Sequence, residues 1–227
     1  MRRFLKFLLI KVPLALFVLS VLWVLILKIV PVWVTPLMIL RYFQNGGSIE
    51  KQWTRLENIS DEMVLCVVAA EDNRFFEHDG FDRVAIQKAI EDHRDKGKKL
   101  RGASTISQQT AKNVFLLPTH SYVRKAIEAY FTVLIEWIWG KERIMEVYLN
   151  VAEMGKGIYG AEAAAQQYFG HGADKLTRRE ASLITACLPS PLKRHPEKPS
   201  KYVSSRAARI RTLVQQLGLN TPLFESK

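Results

Sequence analysis

Hydrophobic and polar positions divide this chain into two unlike regions. Between positions 12 and 39 the only charged residue is Lys28, and the run VPLALFVLSVLWVLIL continues as KIVPVWVTPLMIL. A membrane-spanning helix needs about 20 predominantly apolar residues. This run supplies them, with Lys28 snorkelling toward an interface. Pro31 and Pro36 are placed to end the helix near the outer surface, so the anchor is assigned to residues 12–36, with Trp23 or Trp33 as belt residues. Arg2, Arg3, Lys6 and Lys11 precede it. The excess of positive charge marks residues 1–11 as a cytoplasmic tail and puts the rest of the chain on the far side. A cleaved signal peptide would have an apolar core of about 7–15 residues and a small-residue cleavage site. Here the core is longer, and Val30, Trp33 and Val34 stand where small residues are needed, so the anchor is read as retained.

The remainder, residues 45–227, mixes apolar and polar positions with mostly helical spacing. After a polar entry with Gly46 and Gly47, Ser60-Asp61-Glu62 starts a helix that continues as MVLCVVAAED. Residues 91–103, EDHRDKGKKLRGA, are charged, contain glycines and lack apolar periodicity, which predicts a mobile loop and a candidate flap. A polar helix start follows over 104–111. Residues 122–139 are strongly helical, with Arg124, Lys125 and Glu128 on one face and Ile127, Phe131, Leu134, Ile135 and Ile138 opposite. A helix over 141–151 leads to a turn at Gly155, Gly157 and Gly160. Helices over 160–168 and 177–187, a proline-broken stretch from Pro189 to Pro199 and a last helix over 201–217 complete the pattern. Strand-like alternation is scarce, and the fold class is mainly α.

Charge adds a constraint. The 227 residues carry a net charge of +11 and a pI of about 9.7. Six of the cations lie in the first 41 residues and no acid precedes Glu50, which leaves about +5 on the globular part. A moderately basic domain beside a bilayer suits anionic headgroups or phosphate-bearing substrates. Nucleic acid is the other standard partner of basic charge, and the helix with Arg206, Arg209 and Arg211 invites it. The anchor argues against it, and that face is read as solvated or near lipid headgroups. Cys66 and Cys187 sit in apolar helical runs and read as buried thiols rather than a disulfide framework. No Cys/His spacing resembles a zinc site.

Four segments carry chemistry. In Glu71-Asp72-Asn73-Arg74-Phe75-Phe76-Glu77-His78-Asp79-Gly80, an apolar helix delivers a carboxylate pair to an aromatic neighbourhood. Desolvation there favours the protonated form of a carboxyl group and moves it toward a useful base or acid. The alternative is a structural pair with Arg74. His78 reads as a supporting hydrogen-bond partner. The segment from Gly102 to Asn113 concentrates Ser104, Gln108, Gln109, Lys112 and Asn113, donors suited to sugar hydroxyls or phosphate oxygens near a helix N-terminus. Arg124 and Glu128 stand at i and i+4 with Lys125 between them, either a surface ion pair or a fixed cationic pair able to stabilise a leaving anion. KERIMEVYLN, followed by glycines and AAAQQYFG, reads as helix packing and close backbone contacts, and Glu136 as structural.

In this order, EDNRFFEHDG, GASTISQQTAKN, RKAIE, KERIMEVYLNVAEMGKGIYG with AAAQQYFG, and LTRREASLITACLPSP resemble the successive motifs of the biosynthetic peptidoglycan glycosyltransferase family. The resemblance covers about residues 48–200. The chain leaves no room for a transpeptidase domain after the last motif, so it is most similar to the monofunctional members. The resemblance implies a lysozyme-like helical head with a smaller membrane-proximal jaw. It implies lipid II and the growing undecaprenyl-linked glycan as substrates, a bacterial inner membrane location with the catalytic domain periplasmic, membrane lipid as a contact, and cell-wall synthesis or division proteins as partners. Glu71 matches the family's base and Glu128 its second carboxylate. Ser104, Gln108, Gln109, Lys112, Asn113, Arg124 and Lys125 match its substrate-binding positions. Glu128 either orients Arg124 and Lys112 or helps hold a divalent cation, Mg or Mn, that bridges diphosphate oxygens. A lytic enzyme with a catalytic Glu and a non-catalytic membrane scaffold are the competing readings.

Overall fold

The structure, a computed structural model, describes residues 7–97, 104–119 and 121–218. It is mainly α, as the periodicity predicts. A π-helical turn, Phe7–Lys11, runs into α1 (Val12–Ile29). Among the described residues one helix is long and apolar enough to cross a membrane, 9–29, with a mean hydropathy of 2.6 and almost no burial. At about 1.5 Å per residue its length matches a hydrocarbon core of about 30 Å. Val30 is extended because the following Pro31 disfavours helical backbone there. Pro36 does not close the anchor, as the sequence reading had it. Thr35 caps a new helix, α2 (Pro36–Asn45), and Pro36 takes a first-turn position, where its missing N–H costs nothing.

The anchor is docked onto the globular part. Trp139 Nε1 donates to Val24 O at 2.7 Å, and Arg143 Nη2 donates to Leu27 O and Val30 O at 2.7 and 2.6 Å. Arg143 thereby satisfies carbonyls that a helix C-terminus leaves unpaired. The Ser20 and Tyr130 hydroxyls meet at 2.7 Å, and Lys51 Nζ donates to Val32 O at 2.6 Å.

The core is built around α3 (Asp61–Glu71), capped by Ser60, whose Met63, Val64, Cys66, Val67 and Val68 are fully buried. Apolar residues on nearly every side of this helix mark it as central rather than amphipathic. After it come α4 (Arg83–Lys96), α5 (Ile106–Phe115), α6 (Tyr122–Ile138) and α7 (Gly140–Val151). The glycine turn forms a hairpin of β2 (Glu153–Gly155) and β3 (Ile158–Tyr159), and β1 (Glu50–Lys51) pairs in parallel with β3 to give the order β1-β3-β2. Helices α8 (Ala161–Phe169), α9 (Arg178–Cys187) and α10 (Lys201–Leu217) follow, and α9 and α10 pack on α3. Cys66 and Cys187 are buried and free.

Two expectations change. Residues 91–96 are helical, the end of α4, which runs from an Asp82 cap to Gly97. The helix is mostly exposed, so it shows no apolar stripe, and local capping signals carry it instead. Residues 98–103 of the expected flap lie outside the described residues. On α6, Glu128 is not on a solvated face: it is 3% exposed and lies one turn from buried Thr132. Ile127 is exposed, with Tyr122, Val123, Val133 and Trp137, and α2 exposes Ile39, Leu40 and Phe43.

The loop between α3 and α4 approaches α6 at Gly80, whose φ is 88° and where an added Cβ would sit 2.7 Å from Thr132 Cγ2. Gly170, at the end of α8, has φ 74° with open space around it. Gly80→Ala is expected to cost about 3 kcal/mol and Gly170→Ala about 1 kcal/mol. Thermal unfolding of the two variants checks this, and equal losses would remove the packing argument.

Candidate functional site

Glu71 is the last residue of α3, and its side chain is 16% exposed. Its Oε2 accepts from Gln109 Nε2 at 3.1 Å, and Tyr148 Oη donates to Gln109 Oε1 at 3.4 Å. Its Oε1 lies 3.7 Å from Arg206 Nη2. Burial pushes the Glu71 carboxyl above its ordinary value. The Gln109 hydrogen bond and the Arg206 and Lys112 charges pull it back, and the Asp72 charge pushes it up again. The alternative reading, a pairing of Glu71 or Asp72 with Arg74, is not observed: Arg74 pairs with Glu77 at 2.7 Å and Asp82 at 3.5 Å.

Asp72 belongs to the scaffold of the site. It binds His78 Nε2 through Oδ1 at 2.9 Å and accepts from Ile106 N through Oδ2 at 3.0 Å. A carboxylate at the first N–H of α5 is favoured by that helix's dipole. Gly80 N donates to His78 Nδ1 at 3.2 Å. Nδ1 is then the acceptor, and the ring proton sits on Nε2, directed at Asp72. His78 is a support, as the sequence suggests. Thr105 Oγ1 donates to Gly80 O at 2.7 Å, and Lys141 Nζ donates to His78 O and Glu136 Oε1, both at 2.6 Å. Ser107 Oγ also donates to Glu136 Oε1. These bonds tie the 72–82 loop to α5, α6 and α7, so the segment after Glu71 is held from three helices.

Helix α5 begins with a capping box, in which Thr105 accepts from Gln108 N and Gln108 Oε1 accepts from Thr105 N at 3.0 Å. Gln108 is buried and its carbonyl oxygen is committed to the helix start. Gln109, Lys112 and Asn113 fall on one side of α5 at spacings of three and four residues. Ser104 is exposed and lines a cleft of about 260 Å³ together with Glu71, Asp72, Asn73, Asp82 and Thr105.

The second half of the site is cationic. Glu128 accepts from Arg124 Nη1 at 2.6 Å and from Lys125 Nζ. Arg124 Nε is buried without a hydrogen-bond partner among the described residues. Burial pushes the Lys112 amine down from its ordinary value. Glu128 raises it, Arg124 and Lys125 lower it further, and Glu71 raises it. Lys112 therefore lies within electrostatic reach of both Glu71 and the Arg124–Lys125–Glu128 group, and it joins the two halves. Both oxygens of Glu128 are taken by cations, and no group of three or more His, Cys, Asp or Glu among the described residues is arranged to hold a metal ion. This arrangement suits an anion of high charge density, with Glu128 orienting the cations.

The sequence reading missed two residues. Tyr148, fully buried at the back of the site, reads as packing in sequence; burial first, then the charges of Glu71 and Asp72, push its phenol well above the ordinary value. Arg206 reads as solvated, yet it faces Glu71. The signal lay in the spacing: Val203, Ala207, Ile210 and Val214 form the buried stripe of α10, and Arg206 flanks it. Arg211, from the same basic helix, donates to Ser182 Oγ at 3.0 Å.

Comparison with known proteins gives a consistent result. A family model described as Transglycosylase matches residues 39–215. The chain is similar to proteins named "Biosynthetic peptidoglycan transglycosylase" from three bacteria. It is 52% identical over 209 residues to that of Caulobacter vibrioides, covering 92% of this chain and 90% of the relative. It is 56% identical over 170 residues to that of Shewanella oneidensis, covering 75% and 72%. It is 50% identical over 200 residues to that of Bacteroides thetaiotaomicron, covering 86% and 80%.

A raised carboxyl pKa in the folded state has a consequence for stability. The favourable contribution of the protonated form is fully present below the unfolded value and is lost as pH rises through the folded value. Gln mimics that protonated form at every pH. Glu71→Gln is therefore expected to unfold at a higher temperature than wild type at pH 8, with the gap closing as pH falls below the ordinary carboxylate range. Thermal unfolding in detergent micelles over a pH series checks this; a variant less stable at every pH would contradict it.

Proposed function

This chain belongs to the transglycosylase family, and we propose that it polymerises lipid II into β-1,4-linked glycan, with Glu71 as the base and the Lys112–Arg124–Lys125 group as the diphosphate site. Peptidoglycan glycosyl transfer is the activity that the names of its relatives carry. The observation that supports this division of labour is the arrangement itself: a buried carboxylate at one end, a cluster of cations at the other, and Lys112 within reach of both.

The acceptor's 4-hydroxyl oxygen attacks the anomeric carbon of the donor while the bond from that carbon to the diphosphate oxygen breaks. The hydroxyl proton passes to Glu71, and the diphosphate leaves with the bonding pair. A single displacement converts an α-linked donor into a β-linked product. General-base help of this kind is worth roughly 10²–10⁴-fold. The departing diphosphate gains negative charge, which Lys112, Arg124 and Lys125 are placed to stabilise. Glu128 keeps Arg124 and Lys125 in register through its two accepted bonds. Any divalent cation would arrive with the diphosphate. Ser104, in the cleft beside Glu71, and Asn113, on the face of α5 with Lys112, contact sugar hydroxyls.

The same surface supports a location at the bacterial inner membrane. The apolar anchor helix is docked against α6, and α6 and α2 expose Trp137, Val133, Tyr122 and Phe43. These side chains lie in the outer leaflet of the bacterial inner membrane, with the N-terminus cytoplasmic and the cleft periplasmic, where a lipid-linked substrate enters from the bilayer. A lytic role has no use for a diphosphate-sized cation cluster, and a scaffold has no use for either half of the site.

Purified protein incubated with lipid II in detergent is expected to yield glycan polymer. Glu71→Gln is expected to fold and insert but lose at least about a hundredfold in rate. Glu128→Ala is expected to lose a similar factor, because it leaves Arg124 and Lys125 without their common partner. Gel separation of labelled glycan reads both. Near-normal polymer from Glu71→Gln removes the base assignment, and near-normal polymer from Glu128→Ala makes the Arg124–Glu128 pair merely structural.

A further inference from the structure

Three features oppose ionisation of Glu71. The carboxyl group is buried, it neighbours Asp72, and it stands at the C-terminal, negative end of α3. A base must nonetheless be ionised at working pH. The groups that face it are Gln109 and Lys112 from α5, Tyr148 from α7, Asp72 from its own chain and Arg206 from α10. Tyr148 carries no charge in its ordinary state and reaches Gln109 rather than Glu71. Lys112 is shared with the Arg124–Lys125–Glu128 group and is engaged there when diphosphate binds. Arg206 is then the cation left to Glu71 alone.

The geometry suits that task. At 3.7 Å the Arg206 Nη2 to Oε1 contact is too long for a hydrogen bond but close enough for strong charge interaction. Oε2 is already occupied by Gln109. Among the described residues Oε1 accepts no hydrogen bond, so its lone pairs remain available to a hydroxyl proton. The Arg206 Nε is buried, and the backbone of α10 is fixed by Val203, Ala207 and Ile210 in the core.

We infer that Arg206 is a positioning residue for the base, holding Glu71 ionised by charge while leaving Oε1 free to take the acceptor's proton. The inference deepens the assignment of Glu71 as base and rests on it. It also brings α10 into the reaction, since the C-terminal helix delivers the counter-charge for a carboxylate more than 130 residues earlier in the chain.

The test is the pH dependence of glycan polymerisation from lipid II by the full chain in detergent. Wild type is compared with Arg206→Met, Arg206→Lys and Arg209→Met, an exposed arginine on the same helix. Removing the charge at 206 leaves Glu71 easier to protonate, so the acid limb of kcat/KM should move to higher pH. Arg206→Met should then lose roughly tenfold more activity below the limb than on the alkaline plateau. Arg206→Lys should keep the limb near its wild-type position, and Arg209→Met should leave the profile unchanged. An Arg206→Met limb at the wild-type pH, with activity either intact or reduced equally at all pH values, overturns the inference. So does the same limb shift in Arg209→Met. Circular dichroism monitors folding; if Arg206→Met does not fold, Arg206→Gln takes its place, and an unmoved limb there overturns the inference equally. Glu71→Gln is run alongside. If it stays active, the base assignment itself fails; if it is inactive and the limb is unmoved, only the role of Arg206 falls.

Discussion

Glu71 sets a carboxyl group at the end of a helix buried among apolar side chains, and the groups around it offset part of what burial costs its charge. Helix α3 is the core element against which α9 and α10 pack, so its last residue cannot move without moving the core. The cost of an ionised carboxyl group in that position is offset from several directions. Gln109, itself held by Tyr148, donates to one oxygen, and Arg206 faces the other. The neighbouring carboxylate, Asp72, is engaged in another way: it accepts from His78 and from the first N–H of α5. Two adjacent acids therefore end in different states of engagement. Asp72 is saturated and structural, while Glu71 keeps an oxygen open to the cleft.

The second half of the site repeats this logic with the signs reversed. Arg124, Lys125 and Lys112 are crowded together, and a buried Glu128 makes that crowding tolerable. A carboxylate engaged by two cations is well suited to present those cations to an anion. The first half is carried by α3 and α5 and the second by α6, with Lys112 of α5 between them, and α6 is also the helix on which the anchor docks through Tyr130 and Ser20. At the junction of α6 and α7, Trp139 and Arg143 hold the carbonyls of the anchor's last turns. These contacts fix the apolar helix against the globular part.

Much of this was legible in the sequence. The anchor, the helical class, the segment around Glu71 and the grouping of Arg124 with Glu128 follow from apolar runs, caps and spacing. The failures share a cause, which is that spacing describes one helix at a time. Residues 91–96 lack apolar periodicity because α4 is mostly exposed, yet Asp82 and Gly97 cap a helix there. On α6 spacing groups the charged side chains but leaves open whether they are solvated; Glu128 is buried with its cations while Ile127 and Trp137 are exposed. Gln108 looks like a ligand donor beside Gln109, but its place three residues after Thr105 commits it to a capping box. The spacing of Val203, Ala207, Ile210 and Val214 puts Arg206 at the edge of the buried stripe of α10, but spacing within one helix does not name its partner, Glu71, on another.

The account rests on one physical quantity, the proton affinity of Glu71 in the folded protein. It can be read by carbon NMR of the selectively labelled side-chain carboxyl group in detergent micelles, titrated through the acidic and neutral range, with Glu71→Gln to assign the resonance. The account predicts that this carboxyl titrates above the range of exposed glutamates in the same protein, since burial outweighs Gln109, Arg206 and Lys112. A Glu71 that titrates at or below the exposed glutamates would contradict it, because the carboxylate would then be a stabilised structural ion with little tendency to take a proton from a sugar hydroxyl.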